Sequence, residues 1–306
     1  MKLNSSPHIP VLKSEVLQAF ADIEEGTIVD CTLGYGGHSE ALLQARPGID
    51  LVGIDRDATA IDFSTRRLAP FGDRVTIMQG RFSDMISSID AGSVRGILAD
   101  IGVSSLQLDD PGRGFGFASQ RLDMRMDPGQ SLRAWDVVNR YDQAKLETIF
   151  REYGEMKAWR KAADLIVRRR MQKPFESAKE LADFIAGHLH ARKIHPATLL
   201  FQAIRIEVND ELGELKRLLE TIRDLNLSNT TVAIISFHSL EDRIVKQTFK
   251  AWSRACICPP EAMRCSCGGD HAYGTIVTRN PITAGEDELG KNPRARSAKL
   301  RIFQTY

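Results

Sequence analysis

The sequence is poor in cysteine, has no long apolar run and carries almost no net charge, and each shortage removes a class of protein. Five cysteines in 306 residues, four of them crowded into Cys256, Cys258, Cys265 and Cys267, are not the distribution of a secreted disulfide scaffold. A reducing compartment is expected. No apolar stretch approaches the roughly 18 residues of a membrane span. Residues 1–10 offer one lysine and no apolar core, so no targeting leader is expected and the chain reads as cytoplasmic. Lys plus Arg number 41 against 40 Asp plus Glu, a formal net charge of +1. With no global attraction to nucleic acid, any such surface has to be local. Internal repeats and low-complexity tracts are also missing.

What remains is a chain with 42% hydrophobic residues, enough for a sizeable core, and a length that suits one large domain with an insertion or two domains. From Gly26 to about Ser105, β-rich runs alternate with helical stretches, the rhythm of a parallel sheet covered by helices. Thr27-Ile28-Val29-Asp30, Leu51-Val52-Gly53-Ile54-Asp55, Val75-Thr76-Ile77-Met78 and Gly96-Ile97-Leu98-Ala99-Asp100 read as four strands, and three of them end on aspartate. Ligands of open α/β sheets bind beyond the carboxyl ends of the strands, where those acids would meet them. After Ser105 the strands stop and a helical insertion is expected over 109–211, interrupting a domain made of 1–108 and 212–306. Within it, Asp142 is placed to cap a helix ending near Gly154. A helix over 155–172 follows, then one opened by a capping box of Ser177 and Glu180. A long helical pattern from His195 runs through Ile204, Val208, Leu212, Leu215 and Leu219. The strands Val232-Ala233-Ile234-Ile235-Ser236 and 299–304 then resume the sheet.

The loop Asp30-Cys31-Thr32-Leu33-Gly34-Tyr35-Gly36-Gly37-His38 follows the first strand and opens a helix. Its glycines let backbone N–H groups approach a ligand, and the helix start favours an anionic part. A G-x-G-x-x-G pattern begun at Gly34 fails at Ser39, which argues against a nicotinamide dinucleotide. Asp55, nineteen positions after Gly36, has the separation at which a carboxylate accepts both hydroxyls of a ribose. Phe82 after the third strand can lie against an adenine, with Asp84 as acceptor for its amino group. For both, a plain structural role stands beside the functional one: a strand-end acid, and a core phenylalanine with a helix-capping aspartate.

With Asp100-Ile101-Gly102-Val103-Ser104-Ser105-Leu106-Gln107-Leu108-Asp109-Asp110, the chain closely resembles the 16S ribosomal RNA cytosine-N4 methyltransferase family, MraW. The likeness runs nearly the whole length. It includes His8-Ile9-Pro10-Val11-Leu12, Leu122-Asp123-Met124-Arg125-Met126-Asp127, His195-Pro196-Ala197-Thr198, Phe201-Gln202-Ala203-Ile204-Arg205-Ile206, Ser236-Phe237-His238-Ser239-Leu240-Glu241-Asp242-Arg243 and Asn292-Pro293-Arg294-Ala295-Arg296-Ser297. The resemblance implies an α/β, Rossmann-like class I methyltransferase fold with an inserted all-helical RNA-recognition domain. It implies S-adenosyl-L-methionine as cofactor, held by Gly36, Gly37, His38, Asp55, Phe82, Asp100 and Gln107. It also implies methylation of the N4 amine of a decoding-centre cytosine, with 16S rRNA in the small ribosomal subunit as partner, no membrane and no obligate protein partner. A methyltransferase for another RNA base or for protein is the alternative.

Methyl transfer from a sulfonium needs alignment of two bound reactants and no protein nucleophile. Asp100 is therefore the candidate catalytic residue, either as acceptor for N4 or as a contact to the methionine part of the cofactor. The target base has to be unstacked to reach it. Ser104, Arg113, His195, Arg205, His238, Arg294 and Arg296 are candidate substrate contacts. Lys157, Arg160, Lys161, Arg168, Arg169, Arg170 and Lys173, opposed only by Asp164, form one candidate phosphate surface, and Arg294, Arg296, Lys299 and Arg301 another. A solvated helix face is the plainer reading of the first run. The four clustered cysteines, with His271 beyond, supply soft ligands. A structural zinc is one reading of them and a reduced loop the other; because their C-x-C spacing is tighter than the usual C-x₂₋₄-C, no metal ligand is assigned.

Overall fold

The computed structural model describes residues 10–190, 194–259, 261–262 and 264–306, and for Ser105 and Leu106 the backbone alone. The first two residues of the His8-to-Leu12 motif lie outside it. Two compact units divide the chain, Met1–Gly102 with Glu214–Tyr306, and Val103–Gly213.

The first unit is built on seven strands: β1 Gly26–Asp30, β2 Ile49–Asp55, β3 Val75–Gln79, β4 Val94–Asp100, β5 Thr231–Ser236, β6 Gly274–Ile276 and β7 Lys299–Thr305. Their order across the sheet is β3-β2-β1-β4-β5-β7-β6. β1 to β5 pair in parallel and β7 runs antiparallel to both neighbours. Alternate residues feed opposite faces. Val29, Ile97, Val232 and Ile234 meet Leu215, Leu219, Val245 and Phe249, while Ile28, Leu98, Ala233 and Ile235 meet Val16, Phe20, Leu42 and Leu43. Burial on both faces is why these strands read as continuous apolar runs rather than alternating ones.

Chain order reverses between β1 and β4: the segments after β1 build outward to one side, and those after β4 to the other. A crevice at the carboxyl ends of the strands is a geometric consequence of that switch. Asp30 and Asp100 end the two strands that flank it.

The second unit has no strand among the described residues. Its helices include Ala134–Arg140, Gln143–Glu152, Trp159–Arg170, Ala178–His188 and Thr198–Asn209. Apolar residues spaced three and four apart, such as Leu146, Ile149 and Phe150, or Leu181, Ala182 and Ile185, converge on one core. Val103 and Leu108 pack against that core.

Local differences from the sequence reading have local causes. The helix expected over 155–172 begins only at Trp159, because Glu155 adopts φ 46. The Ser177 hydroxyl caps the Glu180 amide as expected, but the Glu180 carboxylate turns to the Glu176 amide and Arg169, so the capping box closes on one side. The long pattern after His195 is two helices, Thr198–Asn209 and Glu211–Asp224, separated by Asp210 at φ 51. The buried Asn209 amide bonds Met124 O and Met126 N there, at 2.8 Å each. β6 went unread because its three residues are too few to establish a period.

Candidate active site

The loop after β1 is fastened from below by the two acids that precede and face it. Asp30 is buried and accepts from the Thr32 amide at 3.1 Å and the Ser39 hydroxyl at 2.7 Å. Asp55 at the end of β2 accepts from the Gly34 amide and the Asp57 amide, both at 2.8 Å. Burial pushes both carboxyls above the usual aspartate range, with those hydrogen bonds opposing it. Leu33 lies so close over Gly53 that a Cβ there would sit 2.7 Å from its Cδ1. The loop turns into the helix Gly37–Ala45 through Gly36 at φ 73, a region that side chains rarely enter.

That turn sets His38 and Ser39 into the first helical turn, both buried. His38 Nε2 comes 3.6 Å from Asp100 Oδ2, while the Asp100 amide and Thr32 Oγ1 lie 2.6 Å apart. Both ring nitrogens of His38 and Asp100 Oδ1 are buried with no hydrogen-bond partner among the described residues. Burying a polar atom unpaired costs about 1–3 kcal/mol, so three such atoms together mark a place built for a partner from outside the chain.

On the β3 side, the Gly80 amide donates to the Asp55 carbonyl at 2.9 Å and leads to Phe82, half-buried at the start of the short helix Phe82–Met85. Phe82 is held through its neighbour. Glu214 Oε1 accepts from Ser83 Oγ at 2.8 Å and from its amide at 3.3 Å, and Glu214 also pairs with Arg217 and Arg81. Although burial works the other way, Arg217 and Ser83 hold Glu214 below the usual glutamate range. The spatial link from Glu214 to Ser83 had no signal in the sequence, and neither did Thr32. Asp84 is exposed.

The remaining expected site residues are distributed as follows. In the second unit, Ser104 and Gln107 bond each other at 3.1 and 3.2 Å, with Gln107 buried. Arg113 donates to the carbonyls of Arg125 and Met126, and Arg205 makes a two-pronged bond to buried Glu211 at 2.8 and 2.9 Å. His195 stacks on Phe117 with centroids 4.6 Å apart, and Phe117 meets Phe201 edge-on at 4.8 Å. Phe117 is 37% exposed and escaped the sequence reading, although its setting in Gly114-Phe115-Gly116-Phe117 was a signal for it. In the first unit, half-buried His238 caps the helix Ser239–Trp252, with Nε2 3.0 Å from Glu241. Arg294 and Arg296 stand exposed on the turn Pro293–Ser297.

The cationic runs are less free than their sequence suggested. Arg168 pairs with Asp164, Arg169 with Glu180, and Arg170 donates to the carbonyls of Val138 and Tyr141. Lys299 and Arg301 both pair with Asp242, and Arg301 is buried. Asp164 is therefore not the sole acid opposing the first run, since Glu180 reaches it from the next helix.

The glycine turn, the strand-end carboxylates, the half-buried aromatic and the unpartnered His38 and Asp100 atoms suit a ligand with a ribose, a flat base and a polar amino-acid end. With this sheet order they define a Rossmann-like class I methyltransferase that uses S-adenosyl-L-methionine. Residues 5–306 match the model of the MraW methylase family, and the chain belongs to that family. A relative from a Nitratiruptor species, named ribosomal RNA small subunit methyltransferase H, is 58% identical over 98% of this chain and 99% of its own. Proteins of the same name from Wolinella succinogenes and Helicobacter pylori are 55% and 49% identical, each over 98% of this chain and 98% and 97% of their own. Among the described residues no helix is long and apolar enough to cross a membrane.

Proposed function

We propose that this protein transfers a methyl group from S-adenosyl-L-methionine to the exocyclic N4 amine of a decoding-centre cytosine in 16S ribosomal RNA. The relatives' printed name supports the small-subunit RNA substrate, and the family resemblance carried by the motifs along the chain supports the cytosine amine. The observation that carries the reading is the trio of unpartnered buried atoms on His38 and Asp100 at the chain reversal of the sheet.

In this reading Asp55 offers its remaining lone pairs to the ribose hydroxyls, Phe82 lies against the adenine, and Gly36 and Gly37 keep side chains away from the amino-acid end. His38 and Gln107 supply further polar contacts. The bound cofactor supplies an electrophilic methyl on a sulfonium. The acceptor nitrogen is a poor nucleophile because its lone pair is delocalised into the ring, and it sheds a proton as methylation proceeds. Asp100 Oδ1 accepts a hydrogen bond from that amine, concentrating the lone pair on nitrogen, and takes the departing proton. Ser104 orients the base.

RNA holding falls to local surface, because the net charge is only +1. Exposed Arg294 and Arg296 are suited to phosphates, and Phe117 with His195 offers an exposed aromatic face for an unstacked base. Arg113, Arg205 and His238, expected as substrate contacts, act in this reading through the protein contacts described above.

Transfer of labelled methyl to small subunits from a strain lacking the enzyme, followed by nucleoside analysis, tests the proposal. N4-methylcytidine is the expected product. Label on uridine, on a ring carbon or on ribosomal protein would overturn the substrate assignment.

A further inference from the structure

Between the helix Ser239–Trp252 and β6 runs a largely exposed segment without helix or strand among its described residues. Its two feet are joined: Tyr273 N donates to Trp252 O at 2.7 Å and His271 N to Ala255 O at 3.0 Å. The Trp252 and Tyr273 rings also meet edge-on, 5.4 Å apart, in the core of the first unit. Beyond the feet no buried apolar side chain holds the described residues of the segment, yet four thiols converge in it. The sulfurs of Cys256, Cys258, Cys265 and Cys267 all lie within 4.8 Å of one another.

Three of the separations are more specific. Cys256 to Cys265 is 3.6 Å, Cys265 to Cys267 is 3.6 Å and Cys267 to Cys256 is 3.7 Å. A disulfide brings sulfurs to about 2.05 Å, and all four cysteines are free. Four thiolates around one tetrahedral zinc, each about 2.3 Å from the metal, stand roughly 3.8 Å from each other, close to the three measured edges. An iron–sulfur cluster would need the thiolates spread wider, because its irons share them out over more than one metal centre.

Two backbone amides reinforce the arrangement. Ile257 N donates to Cys267 Sγ at 3.4 Å and Ser266 N to Cys258 Sγ at 3.3 Å, so each arm directs an N–H at a sulfur of the other. Such donors stabilise the negative charge that metal-bound thiolates keep. His271 Nε2 lies 2.7 Å from the Cys267 carbonyl oxygen, which leaves the four cysteines as the ligand set. The C-x-C spacing is no obstacle here, since Cys265 and Cys267 already stand at a tetrahedral edge.

We propose that Cys256, Cys258, Cys265 and Cys267 bind one structural zinc ion that fixes the far end of this segment, as the Trp252–Tyr273 contact fixes its base. With four protein thiolates the coordination shell is closed, so the ion holds the chain and takes no part in methyl transfer. The proposal is independent of the substrate assignment above.

Metal analysis of protein purified under reducing conditions without chelator tests it, and about one equivalent of zinc per chain is expected for a closed four-thiolate site. Cys265→Ser combined with Cys267→Ser should remove the metal while S-adenosyl-L-methionine binding persists. Should that variant fail to fold, the metal-free wild-type chain decides. Cobalt(II) should then saturate near one equivalent, with thiolate charge-transfer absorption and tetrahedral d–d bands. Wild-type protein that holds no zinc and gives no cobalt charge-transfer band would overturn the proposal, as would iron in zinc's place.

Discussion

His38 Nε2 lies 3.6 Å from Asp100 Oδ2, and the nitrogens of that ring and the other oxygen of that carboxylate are buried without hydrogen-bond partners among the described residues. A pair left in this condition by its own chain is expected to respond to substitution through ligand handling more than through folding. Asp100→Asn removes the charge and one acceptor oxygen of the group proposed to meet the reacting amine, and turnover should fall by ~100-fold or more, the scale seen when one preorganised transition-state hydrogen bond is lost. Steady-state kinetics together with cofactor titration check this. Unchanged turnover and unchanged cofactor affinity would remove Asp100 from the mechanism.

Asp55, proposed to meet the ribose hydroxyls, should couple cofactor affinity to pH. Burial raises its folded pKa above the ordinary 3.8, so on acidification it takes up a proton earlier than an exposed aspartate. Protonation removes acceptor capacity from a group that already holds the Gly34 and Asp57 amides. Affinity for S-adenosyl-L-methionine should weaken as pH falls through that raised pKa, and Asp55→Asn should flatten the dependence while lowering affinity by ~10-fold or more. Calorimetric titration across the acid range measures both.

Glu214 should act on stability with the opposite sign of shift. Its folded pKa is depressed below 4.5, so its contribution is fully present above the unfolded-state value and is lost as pH falls through the folded one. Glu214→Gln should destabilise the protein near neutral pH by about 2 kcal/mol, mostly from the charge-assisted bonds to Ser83, because the arginine partners are partly exposed and screened. Chemical denaturation at neutral and acid pH should show the gap between wild type and variant closing as pH drops. A gap independent of pH contradicts the assignment.

Phe117, proposed as a stacking face for an unstacked base, should separate RNA binding from cofactor binding. Phe117→Ala should lower kcat/KM for RNA by ~10-fold or more, the order of one base–aromatic stack, and leave cofactor affinity unchanged. Equal loss in both measurements would show that the substitution disturbs the fold instead.

The elements legible in the sequence were those whose signal is local and repeated. The strands ending at Asp30, Asp55 and Asp100 announced themselves by doubly buried apolar runs, and Asp142 by its place before a 3.6-residue pattern. What escaped depended on partners distant in the chain. Glu180 was drawn from its capping box partly by Arg169, and the expected single helix after His195 broke where Asn209 turns inward to Met124 and Met126. The site followed the same division: the glycine turn and strand-end acids could be read in order, whereas the Glu214 support beneath Phe82 exists only once the chain is folded. The cysteine spacing left a structural zinc and a reduced loop both open, because spacing alone does not show that the two C-x-C arms face each other.

Equilibrium binding of S-adenosyl-L-methionine to the purified protein tests the central claim most directly. Saturable binding of one cofactor per chain, weakened in Asp55→Asn and His38→Ala, is the predicted result. Absence of binding by a protein whose circular dichroism and cooperative unfolding show it to be folded would contradict the account.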